Sequence, residues 1–255
     1  MSFSFSGNPV ASYLRVTRQG AEEKALERIS KQPDIKRMMD GFARAVDRAP
    51  DARTALRDPR VLAVIATALG IPDAAQQPGL ATRALLSDPR DPNSLVNKLG
   101  DRRWRAAAQT LNLARDDIFA LRALSTQRQL AEGVQRARWQ EELNREANGL
   151  GDAVVFREQA SSVKGPFDVL GNTILRRVVT TVLGLPKELA IQSVEAQARA
   201  ITSKLDLKKL QDPKEVEKMA QRYIMLKANE NDPFSGIRSQ FNPMTALFRT
   251  NARYI

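Results

Sequence analysis

The sequence has 255 residues and a net charge of +11 at pH 7, and it contains neither cysteine nor histidine. These two absences exclude disulfides, thiolate nucleophiles, Cys/His zinc sites and histidine general bases, although a carboxylate metal site or a Ser/Lys dyad stays open. The basic excess favours an acidic partner or a polyanion, but arginine-rich usage is also typical of GC-rich genomes.

Composition favours helices throughout the chain. Ala, Leu, Arg, Gln and Glu, which are strong helix formers, dominate, and runs with period-two alternation are nearly absent. The sequence therefore predicts an all-α, multihelical fold. The length allows one continuous domain or two.

The first helices are predicted from their caps. Asn8-Pro9 reads as an N-cap followed by proline at the first helical position, and this helix is expected to run to about Lys31. Pro33 opens the next helix. Its apolar side, expected in the core, consists of Ile35, Met38, Met39, Phe42, Ala45 and Val46.

A short helix and a buried helix follow. The short one is predicted from Pro50-Asp51 to near Leu56, and Asp58 caps the next helix. Gly70 is the expected residue after its C-cap, and Pro72 prevents continuation. The apolar residues that predict its burial are Val61, Leu62, Val64, Ile65, Ala68 and Leu69.

The middle of the chain contains further predicted helices and a turn. Residues 80–86 form a helix, and residues 87–94 form a turn in which Asp91 caps a helix beginning at Pro92. Asp101 caps a helix that carries Trp104 into the core. Residues 114–148 form one or two long helices, whose apolar side is Ile118, Leu121, Leu124, Leu130 and Val134.

The second half resembles the first. Shifted by 114 positions, residues 42–72 match residues 156–186 without a gap, including Leu69-Gly-Ile-Pro against Leu183-Gly-Leu-Pro. Residues 194–200 then correspond to residues 80–86, and Asp212-Pro213 opens a helix as Asp101 does. We therefore predict two related helical repeats joined by long helices. The segments are 1–32 (N-terminal helix), 33–113 (first repeat), 114–148 (connecting helices), 149–228 (second repeat) and 229–255 (loosely attached C-terminal tail).

The C-terminal tail is the candidate partner-binding segment. It combines turn signals with an apolar side formed by Met244, Leu247, Phe248 and Tyr254. Such a segment can bind a protein partner or a second copy of the chain. The alternative is that it folds back onto the body of the protein.

The sequence gives only weak indications of metal-binding, nucleic-acid-binding or catalytic sites. Residues 88–94 place oxygens close together, but they lack the flexible turn and the carboxylate clamp of a calcium loop, and helix capping explains both aspartates. Residues 102–105 mix arginines with Trp104, as stacking platforms for nucleic acids do, although a core position for the tryptophan is the simpler interpretation.

The acid pairs Asp116-Asp117 and Glu141-Glu142 lie side by side on helices and cannot face each other across a cleft. We predict no catalytic, cofactor-binding or metal-binding residue and no enzymatic activity.

Several segments carry a resemblance to a known family. They are Leu56-Arg-Asp-Pro-Arg-Val-Leu, Ala68-Leu-Gly-Ile-Pro, the block from Ala84-Leu-Leu-Ser-Asp-Pro to Gly-Asp-Arg-Arg-Trp104, Val178-Val-Thr-Thr-Val-Leu-Gly-Leu-Pro and Leu210-Gln-Asp-Pro-Lys. Over roughly residues 20–228 the chain resembles an uncharacterised family of helical alphaproteobacterial proteins, a domain of unknown function often encoded among flagellar genes. The resemblance implies a multihelical fold and an association with motility, and it supplies no catalytic residues.

Three functions follow as hypotheses. The first is a non-enzymatic interaction or assembly protein associated with the flagellum. The second is a nucleic-acid-associated basic regulator, and the third is an enzyme that uses carboxylates or a Ser/Lys pair. The sequence contains neither a secretory signal nor a transmembrane segment, so we expect a cytoplasmic protein, with flagellar association or signal-less export left open.

Overall fold

The computed structural model describes residues 8–71, 74–99 and 101–230. Within these ranges the chain forms fifteen α-helices, a few short 3-10 helices and no strand, which confirms the predicted all-α, multihelical class. None of the helices in the described ranges combines the length and the apolarity needed to cross a membrane.

The helices are numbered in chain order. The first eight are α1 (Pro9–Val16), α2 (Ala21–Ser30), α3 (Pro33–Arg48), α4 (Ala52–Ala55), α5 (Pro59–Ala68), α6 (Pro78–Leu85), α7 (Leu95–Lys98) and α8 (Arg102–Leu111). The other seven are α9 (Leu113–Arg122), α10 (Leu124–Glu146), α11 (Leu150–Gln159), α12 (Pro166–Leu170), α13 (Thr173–Val182), α14 (Val194–Thr202) and α15 (Pro213–Glu230).

Polar N-caps begin the helices where the sequence predicts them. The side-chain oxygens of Asn8, Asp58 and Asp101 each accept a hydrogen bond from the backbone N–H two residues later, at 2.9–3.0 Å. These bonds satisfy N–H groups that the first turn of a helix leaves without partners. Gly70 and Gly184 follow α5 and α13 with φ of 65° and 60°, the left-handed geometry that ends a helix.

Two predicted boundaries are wrong. The first helix ends at Val16 instead of continuing to Lys31, and the chain restarts as α2 after Gly20, whose φ of 76° is outside the helical region. The helix predicted from Pro92 begins instead at Leu95, after Ser94. The Asp91 carboxylate does accept a hydrogen bond from the Asn93 N–H at 2.9 Å, but that bond stabilises a turn.

The long helix α10 lies at the centre of the molecule and packs against α2, α3, α5, α9 and α11. Two glycines allow its closest contacts. A Cβ atom placed on Gly133 would lie 2.5 Å from the carbonyl oxygen of Ala68 on α5. A Cβ atom on Gly151 of α11 would lie 2.5 Å from the carbonyl oxygen of Gln140 on α10. The helix backbones therefore touch at points where only glycine fits.

The last described helix, α15, contacts the first described helix. It packs against α1, α11 and α13. The hydroxyl of the fully buried Tyr13 on α1 donates a hydrogen bond to Glu217 Oε2 on α15 at 2.9 Å. Buried side chains from residues 33–113 and from residues 149–228 belong to one continuous hydrophobic cluster that includes Phe42 and Phe156.

The two predicted repeats share local structure. Each has a short helix (α4 or α12), a polar N-cap, a buried ten-residue helix (α5 or α13) and a left-handed glycine after it. Their surroundings differ, because α5 packs mainly on α10 whereas α13 packs mainly on α15 and α11. The duplication and the five-segment division stay predictions.

Two residues assigned to apolar helix sides are exposed. Leu124, expected on the apolar side of the long helices, has 78% of its surface exposed, and Met38 on α3 is also exposed. Leu124 is the first residue of α10, so its side chain has no preceding turn of that helix to pack on. The other residues of that predicted apolar side, from Ile118 to Val134, are buried.

Candidate interaction site

A surface groove lies between α13 and the start of α14, beside the C-terminal end of α15. Its volume is about 490 Å³. We call it the α13–α14 groove. It is lined by Thr173, Arg176, Arg177, Thr180, Thr181, Leu185, Pro186, Lys187, Leu189, Ala190, Gln197 and Glu230.

Local sequence signals build the walls of this groove. Asn172 Oδ1 accepts hydrogen bonds from the N–H groups of Ile174 and Leu175, which starts α13. Gly184 ends that helix and leads into a 3-10 helix at Lys187–Ile191. The buried side chain of Gln197 then donates its amide hydrogens to the carbonyl oxygens of Ala190 and Gln192, at 3.4 and 2.8 Å, and so holds this loop against α14.

A buried carboxylate positions one wall residue. Asp152 on α11 is only 3% exposed, and its Oδ2 accepts hydrogen bonds from Arg177 Nη1 at 2.6 Å and from the Tyr223 hydroxyl at 3.0 Å. Gln140 Nε2 lies 3.3 Å from Asp152 Oδ1. Burial by itself would lower the pKa of Arg177, but the hydrogen bond and the charge of Asp152 outweigh it, and the pKa is raised. The Arg177 guanidinium is thus fixed and permanently charged at the groove.

Two other cations of the groove are unpaired. Neither Arg176 nor Lys187 forms an ion pair with any residue in the part of the chain that the structure describes. The carboxylate of the groove, Glu230, is already paired with Lys227 Nζ at 2.8 Å. The groove therefore presents uncompensated positive charge beside an apolar stretch formed by Leu185, Pro186 and Leu189.

Exposed aliphatic side chains extend the apolar stretch. Ile191, which follows the lining residues Leu189 and Ala190 in the chain, is 89% exposed, and Val194 at the start of α14 is 50% exposed. Such exposed aliphatic side chains near the groove offer apolar surface to another polypeptide segment.

Two other depressions are less suited to binding. One, of about 310 Å³, lies where α5, α10 and α11 meet, and its Arg136 is paired with Glu22 at 3.5 Å. The other, of about 690 Å³, lies between α11 and the start of α15, where Arg157 is paired with Glu217 at 3.4 Å. In both depressions the named arginine is already paired with an acidic side chain of the protein.

The predicted tail residues Met244, Leu247, Phe248 and Tyr254 lie outside the described residues. The cluster at residues 102–105 is not a stacking platform. Trp104 is buried with 5% exposure, Arg102 pairs with Asp168, and Arg103 bonds to Asp101 and to the carbonyl oxygen of Gly70. The interpretation of Trp104 as a core residue is confirmed.

The acids proposed as chemical candidates have structural contacts. Asp117 Oδ1 accepts a hydrogen bond from the Ala52 N–H at 2.8 Å and caps α4, and Asp88 accepts one from the Arg90 N–H at 2.9 Å. Glu142 binds Arg28 and Gln32. In the described ranges no group of three or more acidic side chains is arranged to hold a metal ion.

The sequence analysis missed the Asp152–Arg177–Tyr223 contact and the α13–α14 groove. Asp152 stands before the apolar run Ala-Val-Val-Phe, where an unpaired aspartate would be costly. The position of Asp152 in the sequence was therefore the feature that could have indicated a buried, paired carboxylate. Its partners lie 25 and 71 residues away, and no local pattern identifies them.

The buried tyrosines give a prediction about alkaline pH. Burial, followed by the carboxylate partners Glu217 and Asp152, raises the pKa of Tyr13 and Tyr223. The neutral hydroxyls therefore stabilise the fold fully below the tyrosine pKa of about 10 in the unfolded chain, and this stability is lost as the pH rises above it.

We expect two tyrosines to ionise only as the protein unfolds, in an absorbance titration at 295 nm monitored together with circular dichroism. The variants Tyr13→Phe and Tyr223→Phe should each remove one late-ionising group. Ionisation of both residues near pH 10 with the circular dichroism unchanged would contradict this account.

Comparisons with known proteins place the chain among helical relatives. A family model described as "Protein of unknown function (DUF1217)" matches residues 68–216. A crystal structure of a protein from Agrobacterium tumefaciens is similar, with 25% sequence identity, a TM-score of 0.72, and coverage of 91% of this chain and 97% of that one. No curated protein matches the sequence.

Proposed function

The chain belongs to the DUF1217 family of proteins of unknown function, and we propose that it is a non-enzymatic interaction or assembly protein associated with the bacterial flagellum. The observation that carries the interaction role is the α13–α14 groove, where Arg176 and Lys187, which form no ion pair with a described residue, lie beside apolar lining residues. The flagellar association rests on the resemblance to a family that is often encoded among flagellar genes.

The use of acidic side chains supports a non-enzymatic role. Asp58, Asp101 and Asp212 accept backbone hydrogen bonds at helix starts, and Asp152 is held by Arg177 and Tyr223. A general acid or base needs a carboxylate that is aimed into a cleft and free to exchange a proton. These carboxylates stabilise helices instead.

The C-terminal tail is the segment we assign to partner binding. Its apolar residues Met244, Leu247, Phe248 and Tyr254 follow the last helix of the body. An apolar segment joined to a folded body can insert into a partner without unfolding that body.

Photo-cross-linking in living cells tests this assignment. A photoreactive phenylalanine analogue at Phe248 should give a covalent adduct with a flagellar protein. The same analogue at Leu124, an exposed apolar residue of the body, is the matched control and should give none. Absence of any adduct at positions 244, 247, 248 and 254, or an equal adduct from position 124, would exclude the tail as the binding segment.

A nucleic-acid-associated regulator is the second candidate, and the net charge of +11 is the observation that favours it. Such binding depends on counterion release and weakens steeply as the salt concentration rises. We expect no binding to duplex or single-stranded DNA at 50 mM salt. Measurable binding that disappears by about 200 mM salt would favour the regulator instead.

A further inference from the structure

The last described residue of the chain lies at the α13–α14 groove. Glu230 is the last residue of α15 and also lines the groove. The residues that follow are 231–255, which begin Asn-Asp-Pro-Phe-Ser-Gly-Ile. Residues 232–237 therefore follow closely, along the chain, a residue that lines the groove.

The groove lies within reach of this segment. Each extended residue spans at most about 3.6 Å, so the seven residues after Glu230 cover up to about 25 Å. The tether also raises the effective concentration of the segment at the groove to the millimolar range, which makes even a weak contact substantially occupied.

The chemistry of the segment matches that of the groove. The groove offers Arg176 and Lys187, which form no ion pair with a described residue, and the apolar residues Leu185, Pro186 and Leu189. Asp232 is the sole acidic residue after Glu230, and Phe234 and Ile237 are apolar. Cations of the tail begin only at Arg238, beyond the segment.

We propose that residues 232–237 dock into the α13–α14 groove of the same chain. Asp232 pairs with Arg176 and Lys187, while Phe234 and Ile237 cover the apolar side that includes Ile191. The pair of exposed charges contributes little, and burial of the aromatic ring contributes most of the binding. Docking holds Ile237 at the groove, so residues 238–255 begin from a fixed position on the protein surface.

This inference uses the same groove as the proposed function, but docking within one chain needs no partner, so the two can fail separately. The purified protein can show docking even where the tail binds nothing in the cell. Likewise, a tail that captures a partner in the cell can do so without docking on the groove.

The absence of native cysteine allows a direct test in the full chain. The variant Thr181→Cys/Ser235→Cys places one thiol in the groove wall and one in the segment. At low protein concentration, mild oxidation should give a disulfide within one chain. Adding Phe234→Asp keeps the tether length and removes the apolar contact, so we expect disulfide formation to become about tenfold slower.

Charge reversal identifies the orientation of the segment. Asp232→Arg should slow the disulfide about threefold, and combining it with Arg176→Asp should restore the rate. Equal rates of disulfide formation with and without Phe234→Asp would show that the segment reaches the groove through its tether alone and does not dock there. Disulfides formed chiefly between chains would assign the groove to the tail of a second copy. Either result overturns the proposal.

Discussion

Replacing Gly133 by alanine is expected to destabilise the protein by about 2–3 kcal/mol, although alanine is the stronger helix former. The new Cβ atom would lie 2.5 Å from the carbonyl oxygen of Ala68 and 2.9 Å from its Cα. Both are backbone atoms of α5, so the clash cannot be relieved by a side-chain rotation. The helices α5 and α10 must separate, which loosens the central packing of the fold.

The matched control for this substitution is Gly41→Ala on α3. A Cβ atom there would meet only Arg60 Cδ, at 3.7 Å, which is an ordinary contact. We expect this variant to be up to about 1 kcal/mol more stable than the native chain. Urea unfolding followed by circular dichroism measures both changes. Equal stability of the two variants would contradict the close approach of α5 and α10.

Replacing Asp152 by alanine is expected to cost about 3 kcal/mol. The change removes the acceptor of the Arg177 guanidinium and of the Tyr223 hydroxyl, both within 3.0 Å. Because Tyr223 is fully buried, its hydroxyl would be left without a partner. The same change also frees Arg177 to move in the α13–α14 groove.

Graded variants separate the contacts of Asp152. Asp152→Asn keeps the shape and one acceptor oxygen, so it should cost less than alanine. Tyr223→Phe removes one hydrogen bond and should cost about 1 kcal/mol. Asp88→Ala breaks an exposed pair with Arg90 and should cost clearly less than Asp152→Ala. A cost for Asp152→Ala no larger than that for Asp88→Ala would show that the buried contact contributes little.

Local signals predict the elements of this fold well. Asp58, which precedes Pro59, and Gly70, which lies two residues after Ala68, mark the two ends of α5, because capping depends on residues close to the helix end. The same holds for α13 between Asn172 and Gly184. Such signals need no knowledge of the tertiary structure.

The errors arise where local signals compete or are absent. Gly20 interrupts a run of helix formers, and a single glycine inside a helical pattern is often tolerated, so the break before α2 is hard to predict. Asp91-Pro92 has the pattern of a helix start, but the Asp91 carboxylate stabilises a turn there and the helix begins at Leu95.

The candidate site depends on long-range packing and is largely beyond sequence analysis. Arg176 and Arg177 are adjacent on α13, but their environments differ. Arg177 is held by a buried carboxylate, whereas Arg176 lies unpaired in the groove among the described residues. Which of two adjacent arginines finds a partner is decided by the position of α11, and a sequence does not reveal that position.

The most direct test of the proposed function is swimming and flagellar morphology in a strain that lacks the gene. The strain should be complemented with the full-length protein or with a variant that ends at Glu230. We expect deletion to abolish swimming, and only the full-length protein to restore it. Normal swimming and normal flagella in the deletion strain would contradict the flagellar association, and full rescue by the shortened protein would contradict the role of the tail.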